Sequence, residues 1–177
     1  HIFAGGIVLL IVPFVFTSPI SPLITGFILT AFTLIPYLRK KRLYWLQTKD
    51  NMNDVKFCLM WGISVFLLWM IFDNPWIAII PPAFMAFGDA VTGFARNLIF
   101  KKRTKHPVGN LFMLSVSIPI GYFFGARGGI AIWGLFAAIF VSVIERYEFG
   151  PIDDNVLISV SSIIILLIGK YVQPFIF

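Results

Sequence analysis

Seven apolar runs of helix length, separated by short links, constrain this chain more than any other feature. They cover roughly residues 2–16, 20–38, 55–72, 75–100, 110–125, 129–144 and 156–172. A membrane-spanning helix needs about 20 such residues, with a range of roughly 17–25. In hydrocarbon every backbone polar group must be satisfied within the protein, which leaves helices and closed barrels as spanning structures. The runs are helix-length, so they predict an all-α, polytopic membrane helical bundle of about seven transmembrane helices. Helix breakers fall in the links: Ser18-Pro19 and Ser21-Pro22, Asp73-Asn74-Pro75, Arg127-Gly128-Gly129 and Gly150-Pro151. The 177 residues are expected to form one membrane-embedded domain, 1–177. The chain opens on His1 rather than a methionine, so residues upstream are expected. No basic stretch with a cleavage site marks a signal peptide.

Composition sharpens the exclusions. Hydrophobic residues make up 59% of the chain and charged ones 12%, against about 25% charged in a soluble domain. That excludes a soluble globular domain, a disordered chain and a nucleic-acid partner, despite a net charge of +6. The single cysteine, Cys58, lies in an apolar run and reads as a buried thiol.

Charge is one-sided. Arg39, Lys40, Lys41, Arg42, Lys49 and Lys56 fall between the second and third runs, and Lys101, Lys102, Arg103 and Lys105, with Arg96 before them, between the fourth and fifth. With Arg146, 12 of the 14 basic residues lie at one end. The excess of Lys and Arg in cytoplasmic loops makes that end cytoplasmic, and dropping one span would scramble the alternation. The Arg39–Arg42 run reads mainly as a topology anchor. Gly121, Gly125 and Gly129 read as helix-contact positions.

Three features exceed what a plain bundle needs. The first is Gly88-Asp89, followed by Thr92, Gly93, Arg96 and Asn97. Asp89 lies roughly 18 Å below the basic cluster at about 1.5 Å per residue. A charge near the bilayer centre costs about 2.5–3.5 kcal/mol on insertion scales. Arg96, seven residues on, shares its helical face and is expected to reach back to it. Pro81-Pro82 upstream are expected to end the membrane helix early, leaving Asp89 in a cavity. The second is the basic loop Lys101–Asn110, whose lysines, glycine and following helix start suit phosphate. The third is Glu145-Arg146-Tyr147-Glu148 with Asp153-Asp154-Asn155, holding four of the eight acids. Adjacent carboxylates and an amide are good oxygen ligands for Mg²⁺. The competing reading is that Asp154 or Asn155 caps the last helix.

Taken together, these features resemble the CTP-dependent polyprenol kinases (dolichol, phytol and CTP-using diacylglycerol kinases), relatives of the phosphatidate cytidylyltransferases. Gly88-Asp89-Ala90, Arg96, Lys105, Gly109, Glu145 and Asp153-Asp154-Asn155 carry the likeness, with His1-Ile2-Phe3-Ala4-Gly5-Gly6 at its start. The chain departs from the family pattern at Thr92, Ala95, His106, Val108 and Asn110. The resemblance implies transfer of the CTP γ-phosphoryl group to a polyprenol-like lipid alcohol at the cytoplasmic face, with Mg²⁺ as cofactor and membrane lipids around it. It implies Asp153, Asp154 and Asn155 at the metal, and Asp89 as ligand or base. Glu145 is then a ligand or an orienting partner. Gly88, Arg96, Lys105 and Gly109 stand at the nucleotide phosphates. Two alternatives stay open: a CDP-lipid synthase, and a non-catalytic membrane protein or small transporter. Convergence of Asp89, Lys105, Glu145 and Asp153 near one face separates the enzyme readings from transport, which favours midplane polar groups.

Overall fold

The computed structural model describes residues 2–39, 52–101, 106–147 and 152–173. Lys105, His1 and Glu148 therefore lie outside the described residues, as do Lys40, Lys41, Arg42 and Lys49. Each of the seven apolar runs forms a helical segment. Helix α1 (Val8–Val15) is entered through a π-helical turn, Ile2–Ile7. It is followed by α2 (Ile20–Leu38), α3 (Asn53–Phe72), α4 (Pro75–Phe100), α5 (Val108–Arg127), α6 (Ala131–Ile144) and α7 (Asp154–Val172). Five of them, α2, α3, α4, α5 and α7, are long and apolar enough to cross a membrane. The shorter α1 and α6 complete an all-α membrane bundle.

Local chemistry sets the boundaries. Helix α3 stops at Asp73, whose backbone turns left-handed at φ 50°. Asn74 then caps α4, its side chain accepting from the Trp76 N–H at 2.9 Å, and Pro75 supplies a preset first-turn φ. Between α5 and α6 only Gly129, at φ +76°, makes the left-handed turn. Gly129 therefore serves conformation rather than helix contact. Gly121 is a contact position: its Cα side faces the Gly134 backbone of α6, with no room for a methyl. Gly62 of α3 meets Gly26 of α2 in the same way, a Cβ there falling 2.9 Å from the Gly26 Cα. In lipid such close backbone approach is the main source of helix adhesion.

The central element is α4. Two-thirds (67%) of its apolar 18-residue stretch is buried inside the protein, against 17% of the corresponding stretch of α2. Ile77, Ile79, Ile80, Phe84 and Met85 are fully enclosed, with Trp61 and Leu68 of α3, Met113 of α5 and Ile158 of α7 around them. Pro81 and Pro82 do not end the helix. They interrupt it near Ile79, and the chain continues through a π-helical turn, Phe84–Asp89, into Ala90–Phe100. The break is tolerated because the surrounding helices bury it. Phe14, Phe94 and Leu111 point outward, as lipid-facing side chains do.

Contacts at the bundle's two ends follow the charge pattern. At one, Asn74 Nδ2 donates to the Arg127 carbonyl (3.3 Å), and the Arg127 guanidinium lies 4.2 Å from the Trp76 ring and 5.0 Å from that of Phe123. Gln173 donates to the Gly129 carbonyl at this end too. At the other end lie the ends of α2, α4 and α6 and the starts of α3, α5 and α7, where the candidate site sits.

Candidate functional site

The π-helical turn delivers Asp89 at its last residue, at the inner end of the polar segment of α4. Such turns insert an extra residue into a helix and recur at functional sites. Glu145 follows the last residue of α6, and Asp154 opens α7. The fold brings these three together. One carboxylate oxygen from each lies within 4.8 Å of the others. Glu145 is 1% exposed and Asp154 6%, while Asp89 is half-buried and forms the accessible side of the group. Two like charges at such a distance repel by roughly 3.5 kcal/mol at an effective dielectric of about 20. Holding three together calls for cations or protons.

Arg96 supplies one cation, and not to the partner its spacing suggests. Instead of reaching back to Asp89, it pairs with Glu145. Its Nη1 donates to Oε1 at 2.7 Å and its Nη2 to Oε2 at 2.9 Å. Its Nε donates to the His106 carbonyl at 3.1 Å, and Nη2 also reaches Asn110 Oδ1 at 3.4 Å. At 4% exposure, this guanidinium is engaged on both edges. The helical repeat put Arg96 and Asp89 on one face, but Glu145 offered a planar, two-pronged acceptor in a buried position, where the bidentate match is strongest.

Gly109 serves the same arrangement. A Cβ there would collide with Arg96 Nε and Cζ and with Thr92 Cγ2. Thr92 Oγ1 donates to the Gly88 carbonyl at 2.9 Å and approaches that of Gly109 at 3.3 Å, tying α4 to the start of α5. Asn110 Nδ2 donates to the Ser142 carbonyl, fixing α5 to the end of α6. Gly88 is buried, and a Cβ on it would lie 3.0 Å from Ser117 Oγ and 3.2 Å from Met113 Cε. These two glycines thus permit close packing around Arg96 and α5, rather than forming an open phosphate cradle.

The Asp153-Asp154-Asn155 segment divides its labour. Asp153, not Asp154 or Asn155, is the cap of α7: its Oδ1 accepts from the Val156 N–H at 3.1 Å. Its Oδ2 pairs with Lys56 of α3 at 3.3 Å. Asp153 is therefore outside the three-carboxylate group, and Asp154 is inside it. Asn155, 2% exposed, keeps its Oδ1 without a hydrogen-bond partner among the described residues.

The donor chemistry fits a hard divalent cation. The group offers carboxylate oxygens and no sulfur or imidazole, which suits Mg²⁺ or Ca²⁺ over zinc or copper. Among the described residues, Asp89, Glu145 and Asp154 with Arg96 carry a formal charge of −2, a sign that favours a cation. Of the four residues set as the test of convergence, Asp89 and Glu145 meet, Asp153 adjoins them, and Lys105 is outside the described residues. Sequence reasoning missed Lys56 and the bridging role of Asn110. The signal for Lys56 was a lysine in the first turn of a helix, where the backbone dipole disfavours it. The chain matches no family model, no curated protein and no solved structure.

Proposed function

We propose that this protein is a metal-dependent phosphotransferase that moves the γ-phosphoryl group of CTP onto a polyprenol-like lipid alcohol at the cytoplasmic membrane face. The observation that carries the reading is the meeting of Asp89, Glu145 and Asp154 from three separate helices at one end of an apolar bundle. In the sequence the basic residues cluster in the links that follow α2 and α4, and the positive-inside rule assigns such links to the cytoplasm. A transporter would favour polar groups near midplane with access from both sides.

In this reading Mg²⁺, held by Asp154, Glu145 and Asp89, supplies charge neutralisation for the phosphates. Asp89 is the least buried of the three. It orients the alcohol hydroxyl and takes its proton as the oxygen attacks the γ-phosphorus and the bond to the β-phosphate oxygen breaks, releasing CDP. Glu145, enclosed and tied to Arg96, is a fixed ligand rather than a base. Arg96 positions Glu145. The CTP preference and the isoprenoid class of the acceptor come from the family resemblance.

The test is a product assay on the purified protein in lipid with Mg²⁺. γ-Labelled CTP is offered with a panel of lipid alcohols, and α-labelled CTP with lipid phosphates in parallel. Label passing from the γ position to an alcohol establishes the kinase. Label passing only from the α position makes the protein a CDP-lipid synthase, and transfer from neither, in a folded protein, overturns both readings.

A further inference from the structure

Arg146 is exposed, just past the end of α6, and has no ion-pair partner among the described residues. It lines an open groove of about 430 Å³ between the end of α6 and the start of α5. His106 lines the groove as well. Its Nδ1 accepts from the Val108 N–H at 3.2 Å, and its ring lies 4.6 Å from that of Phe100. With Nδ1 engaged as an acceptor, the neutral ring carries its proton on Nε2, which remains a donor. Most of the remaining wall is apolar, with Val108, Leu111 and Val143 in it, and no acid lines the groove. Leu111 and Val143 are 67% and 57% exposed, on helices of an apolar bundle. The positive sign extends along both flanking segments of the sequence. Lys101, Lys102, Arg103 and Lys105 precede His106, whereas Glu148 alone follows Arg146, and Glu145 is tied to Arg96.

A topology anchor needs charge alone. It has no use for a hollow with apolar walls, or for a ring donor held in place by Val108 and Phe100. A soluble anion would use the cation and leave those walls wet. Cation, donor and apolar wall together complement an anionic amphiphile, and basic pockets between membrane helices take such head groups. We propose that this groove holds one anionic phospholipid of the surrounding bilayer, its phosphate on Arg146 and His106 Nε2 and its chain along Leu111 and Val143. The groove is distinct from the three-carboxylate group, and the proposal does not depend on the phosphotransferase reading. Asn110 also lines it, while accepting from Arg96 and donating to the Ser142 carbonyl. A lipid seated here therefore braces the α5–α6 junction behind Glu145.

Native mass spectrometry of the full chain in detergent, titrated with dioleoyl phosphatidylglycerol and separately with dioleoyl phosphatidylcholine, tests the assignment. The native chain is expected to hold one phosphatidylglycerol at least about fivefold more tightly than phosphatidylcholine, the effect of one basic side chain at an anionic head. Arg146→Gln is expected to remove most of that preference. Lys101→Gln removes an exposed charge outside the groove and is expected to keep it. Val143→Trp fills the groove without altering charge and is expected to weaken phosphatidylglycerol binding as much as Arg146→Gln does. Should that variant not fold, Leu111→Trp takes its place. A topology anchor predicts otherwise: equal losses for Arg146→Gln and Lys101→Gln, and none on filling the groove, which overturns the proposal. Excess inorganic phosphate is expected to leave the lipid bound; displacement makes this a site for a free anion and overturns the lipid assignment. A folded native chain without preference for phosphatidylglycerol also overturns it, and leaves the phosphotransferase reading standing.

Discussion

Arg96 and Glu145 join α4 to α6 through two parallel hydrogen bonds of 2.7 and 2.9 Å, with both side chains at least 95% buried. A buried pair of this kind owes its effect to the cost of breaking it: removal of one member strands the other charge, at roughly 3–5 kcal/mol. Arg96→Met is expected to lower stability on that scale. Arg96→Met combined with Glu145→Gln is expected to cost less than the two changes summed, because neither then leaves a charge behind. Thermal unfolding of the four proteins in detergent measures both effects.

Two helical glycines near the site, Gly109 of α5 and Gly93 of α4, should behave oppositely. Gly109→Ala drives a methyl into Arg96 and Thr92, and overpacking of that sort costs about 1–3 kcal/mol. Gly93→Ala meets no described atom within 4 Å and exchanges a poor helix former for the best, a gain of up to about 1 kcal/mol. Melting curves in detergent should separate the pair in sign.

Asp89→Asn is expected to abolish phosphoryl transfer, by about 10²-fold or more if it takes the alcohol proton. The protein should still insert and melt near the native temperature, because the half-buried Asp89 is replaced by a side chain of the same shape. Full transfer activity in this variant removes Asp89 from the mechanism.

The metal requirement should distinguish neighbours in sequence. Asp154→Asn is expected to raise the Mg²⁺ concentration for half-maximal activity by about tenfold or more, as loss of a direct ligand should at least match the 10–100-fold effects of outer-shell changes. Asp153→Asn should leave it nearly unchanged, since Asp153 faces Lys56 rather than the carboxylate group. Mg²⁺ titrations of the two variants check this; equal shifts would place Asp153 at the metal after all.

The architecture was legible in the chain because its signal is one-dimensional. A run of apolar residues either spans or it does not, and alternating loop charge checks the count. Thus 20–38 is the helix Ile20–Leu38, and 156–172 differs from Asp154–Val172 only at the cap. The candidate site was legible as a set of residues and much less as a set of partners. Spacing on α4 favoured Arg96 with Asp89, but the partner it found, Glu145, is 49 positions away. Which of two adjacent aspartates caps α7 depends on one ψ angle, 179° at Asp153. Pairings across the bundle, such as Lys56 with Asp153, depend on how α3 and α7 dock, which no local pattern encodes.

The extra residue in the Phe84–Asp89 turn has a consequence for how this protein can vary. Everything before that turn is keyed to the core by Ile77, Ile79, Ile80 and Phe84, and everything after it to the site by Thr92, Ala95 and Arg96. An ordinary α-helix advances about 100° per residue. Losing a residue from the α-helical stretch between Ala90 and Arg96 would therefore keep the span apolar and long enough while turning Arg96 away from Glu145, whereas the π-helical turn already holds one residue more than an α-helical turn and can give it up with its flanks near their present phase. The site is in this sense a matter of timing along the chain: the turn before Asp89 is the place where a change of length can be absorbed, and the stretch after it is not.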